Sequence, residues 1–404
     1  PGATQARGAQ VGASNPQQAQ QLGLLLKESQ PEMRSNISGL LNAIPANKAA
    51  GLSHVLVTLS QIDMAGKEQS VSRNVLNVLL TATSQLNTLQ LPVVQKHLAN
   101  FLTTLSDNPK SVESFVQLIT NLTDKQVGQL MNLIATIPTK NTQDMITFMN
   151  TLISLNDSAK FSQKALGNLI NELSMLKPEQ QRYVMKVFSQ LQLSAVNVTG
   201  LNKMLTDQPK LLIGLLAKLS ALPQQETQNL LRNLTHLYTA LPEVAKELMS
   251  VLTGMGAQAS KSITLLSSMT PKQMIQVMTV FSAANVSVKN MMAFLDKLGP
   301  LLHSNKPLST EQLVAVLKQV NIQLTPNQLK ALLKVLNEMI SLKNQQANGI
   351  KGVSKEELNE AMALALLASE ETNTDIKKNQ KKRKRLEDEE KENKQKGNEK
   401  VSYG

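Results

Sequence analysis

The stretch Met269-Thr-Pro-Lys-Gln-Met274 carries the signals that begin an α-helix. The Thr hydroxyl can accept a hydrogen bond from the amide three residues on, and the Gln side chain can reach back to the cap amide, as in a capping box. Proline then falls at the first helical position, where its missing N–H costs nothing. The phrase recurs, with Lys replacing Thr or Ser once, at residues 122–127, 176–181, 308–313 and 324–329. Each copy predicts a helix start.

Prolines that follow an apolar residue or a cap recur at a nearly regular distance along the chain. They lie at Pro45, Pro92, Pro138, Pro178, Pro223, Pro271 and Pro326, at intervals of 47, 46, 40, 45, 48 and 55 residues. A period in the forties is typical of helical repeat arrays, whose units of two or three helices cannot bury their apolar faces alone. We therefore expect an all-α fold, an α-solenoid-like array of roughly 45-residue helical units.

The composition of the 404 residues agrees with helices packed on helices. Apolar residues make up 41% of the chain, aromatic residues only 2%, and Trp and Cys are absent. The core must be aliphatic, and disulfides, thiolate metal sites and a Cys nucleophile are excluded. Sustained alternation of apolar and polar residues, the signal of a β-strand, is missing.

The chain divides into five segments by pattern. The helical repeats are expected at 22–342, and a polar, low-complexity N-terminus that we interpret as disordered precedes them. A linker, a terminal helix with an apolar stripe and a charged, disordered or frayed helical tail follow. The predicted boundaries are 1–21, 22–342, 343–353, 354–371 and 372–404.

No catalytic or metal-binding constellation is found in the sequence. The four histidines lie in different repeats without metal-ligand spacing, and we interpret them as surface or boundary residues: His54, His97, His236 and His303. The dinucleotide-like stretch 254–259 follows a helix and not a strand, so a helix-ending loop is expected. Ser174 and Lys177 have the spacing of serine acyl enzymes, but their companion motifs are missing. We predict a protein that is not an enzyme and needs no cofactor or metal.

Two further patterns, the glycosylation sequons and the methionines, are interpreted without a function. Several of the six Asn-Xaa-Ser/Thr sequons are expected by chance: Asn36, Asn121, Asn156, Asn197, Asn233 and Asn285. Most of the seventeen methionines have core spacing, although the adjacent Met291 and Met292 point in different directions, so that one of them is a candidate for an exposed side chain.

The charge of +12 is concentrated near the end of the chain. Residues 377–400 hold 11 Lys or Arg and 6 Asp or Glu, whereas the remaining charge is spread thinly. The cluster Lys381, Lys382, Arg383, Lys384 and Arg385 resembles a nuclear localisation signal and could also bind nucleic acid or an anionic membrane surface. The alternative is a solubilising tail that the acidic residues 387–390 partly neutralise. The richest apolar run, residues 211–222, contains Lys218 and is too short to span a bilayer.

Three functions remain open from the sequence. The first is a non-enzymatic scaffold that binds a protein or an extended peptide along the repeats. The second is association with nucleic acid through the basic tail. The third is an exported bacterial effector or secretion-associated protein, which rests on composition alone. A cytoplasmic location is favoured, with nuclear or exported locations open.

Overall fold

The computed structural model describes residues 15–64, 73–347 and 381–395. Residues 15–347 form nineteen α-helices, outside the stretch 65–72 and with short 3₁₀ turns at 46–48, 139–141 and 256–259. The first ten are α1 Pro16–Glu28, α2 Pro31–Asn42, α3 Ala49–Ser60, α4 Val75–Ser84, α5 Gln90–Thr104, α6 Pro109–Asn121, α7 Asp124–Ala135, α8 Thr142–Asp157, α9 Gln163–Ser174 and α10 Pro178–Ser189. The remaining nine are α11 Ala195–Asp207, α12 Pro209–Lys218, α13 Gln224–Ala240, α14 Pro242–Met255, α15 Ser260–Ser268, α16 Pro271–Ala283, α17 Val288–Leu302, α18 Thr310–Gln319 and α19 Pro326–Ala347.

The all-α prediction is confirmed. The described residues contain no β-strand, and backbone pairing of that kind is limited to one isolated bridge between Asp63 and Asn74. The chain forms two compact units, residues 1–228 (unit 1) and 229–404 (unit 2).

Every copy of the capping phrase lies at a helix start. The Gln three residues after the cap returns to the cap amide at all five sites, over 3.0 Å at Thr123, Thr270 and Ser309, 2.9 Å at Thr325 and 3.2 Å at Lys177. A sixth copy, with Asn as its cap, was missed in the sequence. Asn87 Oδ1 accepts the Gln90 amide at 2.8 Å, and Gln90 Oε1 accepts the Asn87 amide at 3.2 Å.

Within unit 1, helices contact the helices two or three positions further along the chain. Helix α7 contacts α4 and α5 before it and α9 and α10 after it, and α9 contacts α11 and α12. The leucines that line these contacts, such as Leu130 and Leu169, are fully buried. Each helix is therefore covered mainly by helices two or three positions before and after it in the chain. Unit 1 is a stacked helical array of the kind that the proline period predicts.

Unit 2 follows the same order. Helices α14 and α15 contact α17, α16 contacts α19, and α18 contacts both α17 and α19. The three-helix division predicted between Pro223 and Pro271 is present as α13, α14 and α15. Leu230, Leu234 and Leu237 form the predicted apolar stripe of α13 and are fully buried.

Most of the few aromatic residues lie in the core. Six of the seven phenylalanines are fully buried, and two pairs meet edge to face, Phe101 with Phe115 at 5.3 Å and Phe281 with Phe294 at 5.2 Å between ring centroids. Leu, Ile, Val, Met and Ala fill the rest of the interior. Met291 and Met292 are both buried, so neither is the exposed side chain that their adjacency suggested.

The segment boundaries differ from the predicted ones at both ends of the repeats. Helix α1 begins at Pro16 and not at 22, because Asn15 caps it by accepting the Gln18 amide at 3.2 Å although its first turn is polar. Helix α19 runs to Ala347, into the predicted linker. The remainder of that linker and the predicted terminal helix 354–371 lie outside the described residues, as do residues 1–14.

Residues 381–395 of the tail are helical and exposed along their whole length, within the segment for which the sequence predicts a disordered or frayed helical tail. This helix has almost no apolar residues to bury. It does have acidic residues four positions before basic ones, at Glu387 and Lys391 and at Glu390 and Lys394, which is the favourable order for side-chain pairs on a helix.

The capping phrase can be tested at α7. In the variant Thr123→Ala the Gln126 amide loses its side-chain acceptor, so we expect the first turn of α7 to lose about 1 kcal/mol of stability. Hydrogen exchange of the α7 amides should then accelerate about fivefold. The variant Thr123→Ser keeps a hydroxyl and should exchange almost as the wild type does; equal acceleration in both variants would contradict the capping role.

Candidate functional site

Buried and half-buried polar side chains join successive repeats through a set of backbone carbonyls that we call the linker carbonyls: Ile137, Leu222 and Met269. The first two directly precede a proline, and Met269 precedes the Thr-Pro of a capping phrase. Each carbonyl accepts a hydrogen bond from a side chain 36–40 residues earlier in the chain. The donors are chemically different, but they perform the same task.

His97 is the donor to the first linker carbonyl. Its Nε2 lies 2.7 Å from Ile137 O and its Nδ1 lies 3.1 Å from Thr142 Oγ1. Since a carbonyl can only accept, Nε2 carries the proton. The ring is completely buried, contrary to the sequence-based expectation of a surface or boundary residue. Burial lowers the pKa of the His97 imidazole, so the ring is neutral at pH 7.

Tyr183 and Asn233 serve the other two linker carbonyls. The Tyr183 hydroxyl lies 3.2 Å from Leu222 O and 2.6 Å from Thr227 Oγ1, and burial raises the pKa of this phenol. Asn233 Nδ2 donates to Met269 O at 3.0 Å and to Leu266 O at 2.8 Å, and Arg232 adds a second bond to Met269 O at 3.1 Å. These side chains are therefore committed to the stacking of the repeats.

Asparagines of the sequons have the same structural role. Asn36 and Asn233 are buried and bond to backbone carbonyls of other helices, and buried Asn197 bonds to Gln192 O. Asn121 Nδ2 donates to Asn156 Oδ1 at 2.7 Å. Their amides are used inside the fold, which supports the interpretation of the sequons as chance matches. Asn285 is exposed.

A groove of about 380 Å³ with a mixed polar and apolar lining opens between helices of unit 1. One wall is the start of α8, and the other is the outer face of α10, with the first residue of α13 beyond it. The lining residues include Asn141, Asp144, Thr147, Arg182, Tyr183, Lys186, Ser189, Gln190 and Gln224. Sequence reasoning did not identify any of them as a site.

The two walls of the groove come from helices of successive repeats. Asp144 and Lys186 are 42 residues apart, as are Thr147 and Ser189. This separation lies within the range of the proline intervals. The sequence signal that could have indicated the groove is the recurrence of Arg182, Lys186 and Gln190 at four-residue intervals on one face of α10.

The α10 wall of the groove presents hydrogen-bond donors. Arg182 Nη1 is held by Thr136 O at 3.2 Å, which orients the guanidinium and leaves its other N–H groups available. Gln190 Oε1 accepts from Gln224 Nε2 at 2.9 Å and from Gln228 Nε2, so the remaining amide group of Gln190 is a donor. Lys186 is exposed beside them.

The charges in the groove are not neutralised by one another. Among the described residues, Arg182 and Lys186 form no ion pair with Asp144 or with any other carboxylate within 4.0 Å. Arg182 and Lys186 are four residues apart on one helix face, an arrangement that is mildly destabilising for like charges. An acceptor-rich ligand would relieve it.

The basic cluster of the tail is separate from the groove residues in the chain and is fully exposed. Lys381, Lys382, Arg383, Lys384 and Arg385 lie in the helical stretch 381–395. One contact to the rest of unit 2 is made there, from Arg383 Nη2 to Asn285 Oδ1 at 2.8 Å. The cluster therefore presents most of its charge to solvent.

The catalytic-looking motifs have structural explanations. Helix α14 ends at Met255, Gly256 takes a φ of +58°, and residues 256–259 form a 3₁₀ turn, so the stretch 254–259 is a helix end followed by a turn. Ser174 Oγ donates to Ile170 O of its own helix at 2.7 Å, and Lys177 lies in the cap of α10. Within the described ranges, no group of three or more His, Cys, Asp or Glu side chains could hold a metal ion. No described helix is long and apolar enough to cross a membrane.

Comparisons of the chain with protein families, with curated proteins and with solved structures find no match.

The buried imidazole predicts a pH dependence. Because the pKa of His97 is lowered from 6.5 in the folded chain, the unfolded chain takes up a proton first as the pH falls. The His97 contribution to stability is complete above pH 6.5 and is lost as the pH falls towards the lower folded-state pKa. We expect the free energy of unfolding, measured with urea, to decrease between about pH 7 and about pH 5.

Matched variants separate this residue from the rest of the chain. In His97→Gln the decrease with falling pH should be smaller, and the part that remains includes the half-buried His236, whose pKa is also lowered by burial. The exposed His303 is the control, and His303→Gln should keep the wild-type slope. An unchanged slope in His97→Gln would show that the imidazole does not carry the effect.

Proposed function

We propose that this protein is a non-enzymatic helical-repeat scaffold that binds an extended segment of a partner protein in the groove between α8 and α10. The observation that carries the proposal is a groove lined by helices of two successive repeats, in which Arg182, Lys186 and Gln190 have N–H groups that no described residue uses. Asp144 lies on the α8 wall, and Arg182 and Lys186 lie on the α10 wall, so the groove presents charged groups from two successive repeats. Extended binding surfaces of this type are the common use of helical repeat proteins.

The groups in the groove support binding better than bond-making chemistry. The Tyr183 hydroxyl is used by Leu222 O and Thr227, and the raised pKa keeps it protonated. Arg182, Lys186 and Gln190 offer donors without a neighbouring histidine in the lining. Such a set of fixed donors suits recognition of peptide carbonyls and acidic or amide side chains.

Blocking the groove tests the proposed function. The full chain is applied to an array of synthetic heptapeptides of varied sequence, and the bound peptides are measured again in solution. The exposed Asn141 lines the groove without a side-chain cap bond, so Asn141→Trp fills the groove at little structural cost. We expect this variant to weaken peptide binding at least about tenfold, since one well-packed interface side chain has that effect.

The control is Lys164→Trp, at an exposed position of α9 that does not line the groove. It should bind peptides as the wild type does. Peptide binding that survives Asn141→Trp, or an array on which no peptide binds, would refute the proposed function.

The exposed basic cluster favours nucleic-acid association as a second candidate function. Five consecutive cations in residues 381–385 lie on an exposed helix, and Arg383 donates to Asn285 of unit 2. Phosphate contacts by such cations release counterions, so the binding that they support weakens steeply with salt.

This candidate is tested with a short DNA duplex. If all five cations contact phosphates, the logarithm of the binding constant should fall with the logarithm of salt concentration with a slope of about −4.5. Changing Lys381, Lys382, Arg383, Lys384 and Arg385 together to Gln should remove this binding, whereas changing Glu387, Asp388, Glu389 and Glu390 to Gln should strengthen it. Binding that is unaffected by the first set of changes excludes the tail as the site.

A further inference from the structure

The donors on the α10 wall lie in one row along the helix. Arg182, Lys186 and Gln190 follow one another at intervals of four residues, so they share one face, and successive members are separated by about 6 Å along the helix axis. Each has at least one N–H group that no described residue uses. The row therefore offers a cation, a second cation and a neutral amide in a fixed order.

An extended peptide has a matching repeat. A strand rises about 3.3 Å per residue and alternate side chains lie on the same side, so side chains on one side recur about every 6.6 Å. This distance is close to the spacing of the donor row. Two acidic side chains at alternate positions of a peptide would thus meet Arg182 and Lys186, and a third alternate residue would meet Gln190.

The α8 wall determines which peptide side chain is favoured between the two acidic side chains. The intervening side chains of an extended peptide point to the other side, towards α8, where Asn141, Asp144 and Thr147 line the groove. The Asp144 carboxylate would repel an acidic residue there and attract a basic one. The groove thus has complementary charges for alternating signs along the ligand.

We propose that the partner segment is an extended acidic peptide with carboxylates at alternate positions, Glu or Asp, then a basic or neutral residue, then Glu or Asp. Arg182 and Lys186 bind the two carboxylates, Asp144 faces the residue between them, and the free amide group of Gln190 donates to the next alternate residue. This inference rests on the proposed function, because it names the chemistry of the segment that occupies the same groove.

Two isomeric peptides test the spacing. Acetyl-Ala-Glu-Lys-Glu-Ala-Gln-Ala has alternate acidic residues, and acetyl-Ala-Glu-Glu-Lys-Ala-Gln-Ala has the same composition and charge with adjacent ones. Fluorescence anisotropy with the labelled peptides and the full chain should show that the first peptide binds about tenfold more tightly, as expected for the loss of one charge-assisted hydrogen bond. Equal affinities would overturn the inference.

Three single-charge variants assign the contacts. Arg182→Gln and Lys186→Gln should each weaken the alternating peptide about three- to tenfold and bring its affinity close to that of the isomer. Lys164→Gln removes the same charge from an exposed position outside the groove and should leave both affinities unchanged. A loss in Lys164→Gln equal to the loss in Lys186→Gln would reduce the effect to net charge and overturn the inference.

The outcomes separate the inference from the proposed function. If both peptides bind equally and Asn141→Trp blocks both, the groove binds peptides but does not recognise alternate carboxylates. If neither peptide binds while array peptides bind in a manner sensitive to Asn141→Trp, the inference is again wrong and the proposed function stands. If Asn141→Trp affects no peptide at all, both fail together.

Discussion

The aliphatic faces of these helices are covered by the neighbouring repeats, and the rest of the structure depends on this constraint. Helix α9 buries Leu166, Leu169 and Ile170 completely, and it does so against α7 before it and α11 and α12 after it. A single block of roughly 45 residues would leave such faces exposed to water. Each Leu or Ile that is exposed instead of buried forgoes about 1.5–3 kcal/mol of favourable transfer free energy. Stacking in chain order follows, and with it the near-regular spacing of the prolines and capping phrases at which helices begin again.

Stacking also places backbone carbonyls against polar side chains of earlier helices, and this explains several of the buried or half-buried polar residues. The linker carbonyls lie where one repeat ends and the next begins, and an unsatisfied buried carbonyl costs about 1–3 kcal/mol. His97, Tyr183 and Asn233 each satisfy one of them from an earlier helix. Residues that resemble catalytic or glycosylation sites in the sequence are therefore parts of the stacking. In the groove, Arg182 and Gln190 are bonded within the fold, and each still has N–H groups that no described residue uses.

Local signals could be predicted from the sequence, and long-range ones could not. The caps at Thr123, Thr270 and Ser309 depend on residues three positions away, so the capping phrase identifies them directly. The donors to the linker carbonyls lie 36–40 residues from their acceptors and belong to different residue types, so no sequence motif links a donor to its acceptor. The groove depends on the register between α8 and α10, which packing alone determines. Asn87 was overlooked because it replaces the expected Thr or Ser, and the start of α1 because its first turn is polar.

The most direct test of the stacking constraint is hydrogen exchange of the full chain with Leu169→Ala. Leu169 is fully buried in α9, and its truncation should cost several kcal/mol, about 2–5 by comparison with other core leucines. Because neighbouring helices bury each other's apolar faces, we expect amide exchange to accelerate in α7 to α12 and to stay at wild-type rates in α1 to α3. Equal acceleration through all the helices of unit 1 would indicate one shared core, and acceleration confined to α9 would indicate self-sufficient blocks. Either result would contradict the stacked array.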